Sequence, residues 1–262
     1  MSNTSQAAEL AIVIPAYNEA TRLPRTLEVL AKQIKSGELN SVKISQVIVV
    51  DDGSRDQTVE VVKKYEASLP QLLVLKSDKN YGKGHAVRTG LLYAEAPWLL
   101  VADADMATPW EEVLKLVEEC QAQQADIAIG SRDLKESEIV IRQSWVREHM
   151  GKTFNLMVRS ITQLPFKDTQ CGFKLMKKNA VAAFLKKLTV DRFAWDVEFL
   201  MLAQSHGLKI VEVAVRWSHQ EESRVHPVKD GINMAYTISK LRLSHWLQLR
   251  KYNLKSSSHK AP

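Results

Sequence analysis

Val47-Ile48-Val49-Val50-Asp51-Asp52-Gly53-Ser54 is an apolar run that stops abruptly in two carboxylates and a Gly-Ser pair. Four successive branched residues have no polar face, so a strand made from them must be covered on both sides, as the strands of a parallel sheet are. The Gly-Ser pair then allows a tight turn with a cap for a following helix. On either side of this stretch the same unit recurs. Strands are expected at Leu10 to Pro15, Ile44 to Asp51, Leu72 to Lys76, Trp98 to Ala102 and Asp126 to Gly130, with helices near 21–35, 56–67, 83–95 and 109–124. The alternation predicts an α/β fold of Rossmann-like type with a mostly parallel central sheet and right-handed crossovers. Chemistry then belongs at the C-terminal ends of the strands.

After Arg132 the regularity is lost. The charged segment Asp133 to Glu138 reads as a mobile loop, followed by a helix at about 142–163 and a strand or hairpin around Asp168 to Met176. Helices at about 178–187 and 194–205, a strand at Leu208 to Trp217 and a last helix over about Gly231 to Tyr252 complete the chain. On that helix Met234, Ile238, Leu241, Leu243, Trp246 and Leu247 spread over a wide apolar arc, while Asn233, Thr237, Lys240 and Ser244 share a narrow polar stripe. It reads either as a helix docked on the sheet or as an amphipathic helix at a membrane interface, where Trp and snorkelling Arg are at home.

Composition narrows the function classes. A chain of 262 residues, 45% hydrophobic and 25% charged, can bury a real core and is neither disordered nor a disulfide-stapled mini-protein. The two cysteines, Cys120 and Cys171, form no C-x-x-C pair, so a structural zinc site is not expected and the compartment reads as reducing. No stretch approaches the roughly 20 apolar residues of a membrane span, and the polar N-terminus has no signal-peptide pattern. A cytoplasmic protein is expected. Its net charge of +6 is not evenly spread: residues 224–262 hold eight Lys or Arg against Asp230 alone, which leaves 28 basic and 29 acidic residues in 1–223. A basic end on a neutral body suits an anionic surface or substrate met locally, not a nucleic acid.

The candidate chemistry lies in the strand-end loops. Ile14-Pro15-Ala16-Tyr17-Asn18-Glu19 closes the first strand, and Asp52 closes the second. A carboxylate there can accept from an imide N–H or ribose hydroxyls, and Tyr17 can stack on a base; Asp52 and Ser54 read equally as helix caps. Asn80-Tyr81-Gly82-Lys83-Gly84 opens a helix with two glycines and an ammonium, a turn able to meet a phosphate, although it matches neither a P-loop nor a dinucleotide fingerprint. Ala102-Asp103-Ala104-Asp105 is the sharpest feature. Two carboxylates directly after an apolar strand call for a cation, and Mg²⁺ or Mn²⁺ held by Asp103 and Asp105 plus substrate phosphate oxygens describes an enzyme with a diphosphate leaving group.

Together IPAYNE, VVDDGS, NYGKGHAVRTG, ADAD, Gly130-Ser131-Arg132 and DTQCGFKL at 168–175 resemble the family 2 glycosyltransferases of fold type A (GT-A), in their polyprenyl-phosphate branch. The resemblance runs from about Ile12 to Arg224 and includes the segment Arg192 to Glu198. It implies a nucleotide-diphospho-sugar transferase domain over 1–223, with a nucleotide-sugar half at about 10–132 and an acceptor half at about 133–223, and a basic extension over 224–262. It implies further that Pro15, Tyr17, Glu19 and Asp52 surround the nucleotide, that Asp103 and Asp105 hold nucleotide and metal, and that Arg132 and Arg147 meet acceptor phosphate. Mannosyl members usually carry Gln where this chain has Ala107, which tilts the donor from GDP-mannose toward UDP-glucose. The membrane anchor of the eukaryotic glucosyl members has no counterpart here, so peripheral binding at the cytoplasmic face of a membrane is expected.

Inverting in-line displacement by a polyprenyl or dolichyl monophosphate needs no general base, because a phosphate monoester with a second pKa of about 6 is largely dianionic at neutral pH. Arginines must hold it instead: Arg132, Arg147 and Arg224, with Arg192 as a weaker candidate. A sugar or small-molecule hydroxyl acceptor would need a base, for which Asp196 or Glu198 is available. A nucleotide-binding module without turnover would have no use for paired metal carboxylates, and no basic donor-phosphate loop of a nucleotidyltransferase follows the first strand.

Overall fold

The computed structural model describes residues 7–141, 145–220 and 231–243. Its core is a seven-stranded sheet in the order β3 (Leu72–Lys76), β2 (Val42–Asp51), β1 (Ala8–Ala16), β4 (Trp98–Val101), β7 (Lys174–Lys177), β5 (Ile127–Ser131), β8 (Ile210–Ala214). β1 to β4 are parallel, as the continuous apolar runs require, and β5 is parallel to β8. Side chains alternate across the sheet. Leu10, Ile12 and Ile14 pack under α1 (Leu23–Ser36) and α4 (Glu112–Ala122), while Ala11 and Val13 meet α3 (Lys83–Tyr93), α6 (Lys178–Leu185) and α7 (Trp195–Ser205) on the other face. The short helix α2 (Thr58–Lys63) joins the first layer through Val62, and α5 (Trp145–Thr162) joins the second through Val158.

Three departures from the sequence reading matter for the site. The expected strand or hairpin at Asp168 to Met176 is the single strand β7, inserted antiparallel between β4 and β5. Its N-terminal end therefore lies at the same sheet edge as the C-terminal ends of its neighbours, with Lys174 opposite Val101. The expected strand at Leu208 to Trp217 breaks at Val215, whose N–H bonds the Ser131 carbonyl, and its last part is a separate strand, β9 (Arg216–Ser218). β9 pairs with β6 (Glu138–Ile141) in a two-stranded ribbon, so the segment read as a loop from Asp133 ends in a strand.

Residues 231–243 are helical, and Met234, Ile238 and Leu241 dock on the α3–α6–α7 face. Ile232, Tyr236 and Leu243 point away and are well exposed. The rest of that predicted helix, and the division at residue 223, lie outside the described residues. Among the described residues no helix is long and apolar enough to cross a membrane.

Candidate active site

The sheet edge forms a cleft of about 1850 Å³ lined by Pro15, Tyr17, Glu19, Asp52, Lys83, Asp103, Asp105, Arg132, Arg192 and Asp196. Register explains how they meet. Ala16 pairs with Asp51 and Val13 with Val101, so the loops after β1, β2 and β4 leave the sheet side by side. The first two are tied together: Asn18 donates its N–H to Ser54 Oγ at 2.8 Å and accepts from Arg55 N–H through Oδ1 at 2.8 Å. Ser54 thus braces the β1 loop instead of capping α2, which begins at Thr58 after Gln57. Gly53 turns the chain at φ 69°, and a Cβ there would lie 2.4 Å from the Lys79 carbonyl carbon.

Asp52 is buried and largely satisfied by the chain. It accepts from Tyr81 N–H at 3.0 Å, Gly82 N–H at 2.7 Å and Asn80 Nδ2 at 2.8 Å. Burial lifts its carboxyl above the usual range despite the two backbone bonds. The glycine turn expected to offer its N–H groups to a phosphate thus spends two of them on Asp52. Its glycines serve packing: a Cβ on Gly82 would reach the Asp191 carbonyl oxygen at 2.4 Å, and one on Gly84 the Val190 carbonyl oxygen at 2.2 Å. The segment 188–195 is thereby held against the N-terminus of α3.

The paired carboxylates meet cations supplied by the chain. Lys83 Nζ lies 2.6 Å from Asp103 Oδ1, and Arg22 Nη1 lies 3.6 Å from Asp105 Oδ2, with Arg22 also paired to Glu19. Burial works against the Asp103 carboxylate, but Lys83, with Lys174 and Arg132, outweighs it and holds Asp103 below the ordinary range. Burial and the charge on Asp103 lift Asp105 above it. Among the described residues no three His, Cys, Asp or Glu side chains converge on a metal position. Two carboxylates without a third ligand suit a hard cation whose shell is completed by phosphate oxygens and water.

Arg132 and Asp168 form a bidentate pair, Nε to Oδ2 at 2.6 Å and Nη2 to Oδ1 at 2.9 Å, and the guanidinium lies 5.5 Å from the Trp217 ring. The pairing leaves Arg132 on the cleft wall in a fixed orientation. Arg192 also lines the cleft, whereas the Arg147 side chain and all of Arg224 lie outside the described residues. Asp196 reaches the cleft but pairs with Lys174, itself fully buried and also bonded to the Cys171 carbonyl. Burial raises the Asp196 carboxyl, and Lys174 and Lys83 partly offset this. Glu198 caps the preceding turn, accepting from Thr189 N–H and Val190 N–H, and does not line the cleft.

Sequence reasoning did not single out Lys174, Asp168, Arg22 or Gln170, although three of the four lie in or beside quoted motifs. Lysine between Phe173 and Leu175 in an apolar strand is the one visible signal of a buried ion pair. Gln170 faces the cleft with its Nε2 buried and without a hydrogen-bond partner among the described residues.

The family description "Glycosyl transferase family 2" matches residues 11–184. Dolichyl-phosphate beta-glucosyltransferase of Homo sapiens is 36% identical over 249 residues, covering 92% of this chain and 77% of that protein. The protein of the same name from Dictyostelium discoideum is 34% identical, covering 92% and 76%. Mannosyl-3-phosphoglycerate synthase from Rubrobacter xylanophilus shares the fold, with a TM-score of 0.65, 16% identity, and coverage of 92% of this chain and 75% of that one. The apposed strand-end loops, the paired carboxylates and these likenesses agree: the chain belongs to glycosyl transferase family 2 and is a glycosyltransferase.

Proposed function

We propose that the protein transfers glucose from UDP-glucose to the phosphate of a polyprenyl or dolichyl monophosphate, with inversion at the anomeric carbon and with Mg²⁺ or Mn²⁺. The observation that carries this reading is the pairing of Asp196 with buried Lys174, which occupies the carboxylate a hydroxyl acceptor would need as a base, while Arg132 stands oriented on the same cleft. The names of the human and Dictyostelium relatives support the acceptor and the sugar. Ala107, where the resemblance places a residue that is usually Gln in mannosyl members, supports UDP-glucose.

In this reading Asp103 and Asp105 hold the cation, which would neutralise charge growing on the departing diphosphate. Tyr17 and the Asp52-clamped turn shape the nucleotide pocket. Arg132, held by Asp168, orients the acceptor phosphate, with Arg147, Arg192 and Arg224 as further anion contacts. A phosphate oxygen attacks the anomeric carbon, the bond from that carbon to the diphosphate breaks, and no proton has to move. The exposed Ile232, Tyr236 and Leu243, together with exposed Val140, Ile141 and Trp145 and the basic residues after 223, support peripheral docking at the cytoplasmic face of a membrane. The test is a donor panel with one polyprenyl phosphate. UDP-glucose should be used in preference to GDP-mannose, chelator should abolish transfer, and Asp105→Ala should remove turnover with the fold intact. Full activity in excess chelator contradicts the metal.

A further inference from the structure

We propose that Lys83 is an internal counter-ion that holds the place of the divalent cation on Asp103 until a nucleoside diphosphate arrives, so that metal and nucleotide bind as a coupled pair. The inference rests on the metal reading above and gives Lys83, read from the sequence as a phosphate contact, a further role at the carboxylates. Three features of the cleft carry it.

The Asp103 carboxylate has little freedom. It lies against Gly172, where a Cβ would come within 2.0 Å of Oδ2, and its Oδ1 is taken by the Lys83 ammonium at 2.6 Å. The pair is partly shielded, with side chains 21% and 35% exposed for Lys83 and Asp103, so it is attenuated less by solvent than a surface pair. A metal ion arriving alone must therefore break an ion pair and leave an ammonium next to its own positive charge. Coulomb repulsion and the lost pair both weaken metal binding.

A diphosphate changes the balance. Lys83 and both carboxylates line one cleft, so an anion bound at the carboxylates gives the ammonium a new partner without taking it back to water. Lys83 is also anchored at its base. It opens α3, and the turn before it is clamped by Asp52 through Tyr81 and Gly82, so only the flexible side chain has to move. Asp105 has a separate cation, Arg22, at 3.6 Å, which is unchanged in every Lys83 variant, so a comparison of those variants isolates the Lys83–Asp103 pair. Since the linkage is thermodynamic, nucleotide must tighten metal binding by the same factor as metal tightens nucleotide binding.

The experiment is a titration of the full chain with Mn²⁺, free Mn²⁺ being read by its paramagnetic resonance signal, with and without UDP. Wild type should bind Mn²⁺ weakly alone and at least about tenfold more tightly with UDP, within the usual range of coupling between sites. Lys83→Met should bind Mn²⁺ alone about tenfold more tightly than wild type and gain less from UDP than wild type does, the remaining gain coming from the phosphate oxygens that complete the metal's shell. Lys83→Gln should give the same pattern with a polar terminus, and Lys83→Arg should restore weak binding of Mn²⁺ alone. If wild type binds Mn²⁺ with UDP but neither neutral variant binds Mn²⁺ alone more tightly, the counter-ion role is overturned and the metal reading stands. If wild type binds no Mn²⁺ even with UDP, both fall.

Discussion

Lys174 and Asp196 separate the two acceptor classes. A lysine with no solvent exposure is tolerable only if its charge is matched, and here Asp196 and the Cys171 carbonyl match it, with the Trp195 ring 5.6 Å away. Asp196 therefore has a structural reason to exist apart from catalysis. Replacing it alone would strand the buried ammonium, at a cost of about 3–5 kcal/mol, so a clean test removes both charges. Asp196→Asn combined with Lys174→Met should fold, and its turnover with a phosphate acceptor should stay within about tenfold of wild type. Removal of a true general base would cost about 10²–10⁴-fold. The acid limb of the pH profile should also survive unchanged near pH 6, because it belongs to the second ionisation of the lipid phosphate and not to Asp196. A loss of the larger size in a folded double variant would favour a hydroxyl acceptor.

The helix α3 shows what an element contributes to the site. Its N-terminus carries Lys83, and its glycines let it approach both the sheet and the 188–195 segment: a Cβ on Gly90 would fall 2.3 Å from Val13 Cγ1, and one on Gly84 2.2 Å from a backbone oxygen and 2.7 Å from Trp195 Cβ. Backbone cannot step aside, so Gly84→Ala should cost about 3 kcal/mol and lower the melting temperature by roughly 6–12 °C. Gly151→Ala in α5, where nothing among the described residues lies within 4 Å, should be neutral or stabilising by up to about 1 kcal/mol. Equal melting temperatures for the two variants would refute the packing role. The parallel strands around Val47 to Val50 were legible because continuous apolar runs have one physical solution. β7 was less so. Four residues with a lysine at each end carry little periodicity, and the antiparallel direction depends on β4 and β5, which lie far off in sequence. The break at Val215 leaves no signal in Val213-Ala214-Val215-Arg216-Trp217, which holds no glycine, proline or other turn residue. The acidic pair of the site could be read from Ala102 to Asp105, but its cations could not. Arg22 follows β1 and Lys83 opens α3 after β3, and the side-by-side order β3-β2-β1-β4 brings those segments to the acidic pair.

Taken as a whole the molecule is lopsided. A near-neutral α/β body ends in a basic stretch, and the helix over 231–243 docks one apolar stripe while exposing another. Each basic residue near an anionic bilayer contributes about 1 kcal/mol, and apolar insertion adds to that. The full chain should therefore sediment with anionic vesicles in a salt-sensitive way, and a form ending near Val228 should sediment far less; equal sedimentation would reduce the helix to core packing. Everything above converges on an inverting transfer to a lipid phosphate. The most direct measurement is nuclear magnetic resonance of the product made from UDP-α-glucose with a mixture of polyprenyl phosphate and polyprenol. A single product is expected, β-glucosyl phosphate on the lipid, with the polyprenol untouched. An α-linked product, or glucose on the polyprenol hydroxyl, would contradict it.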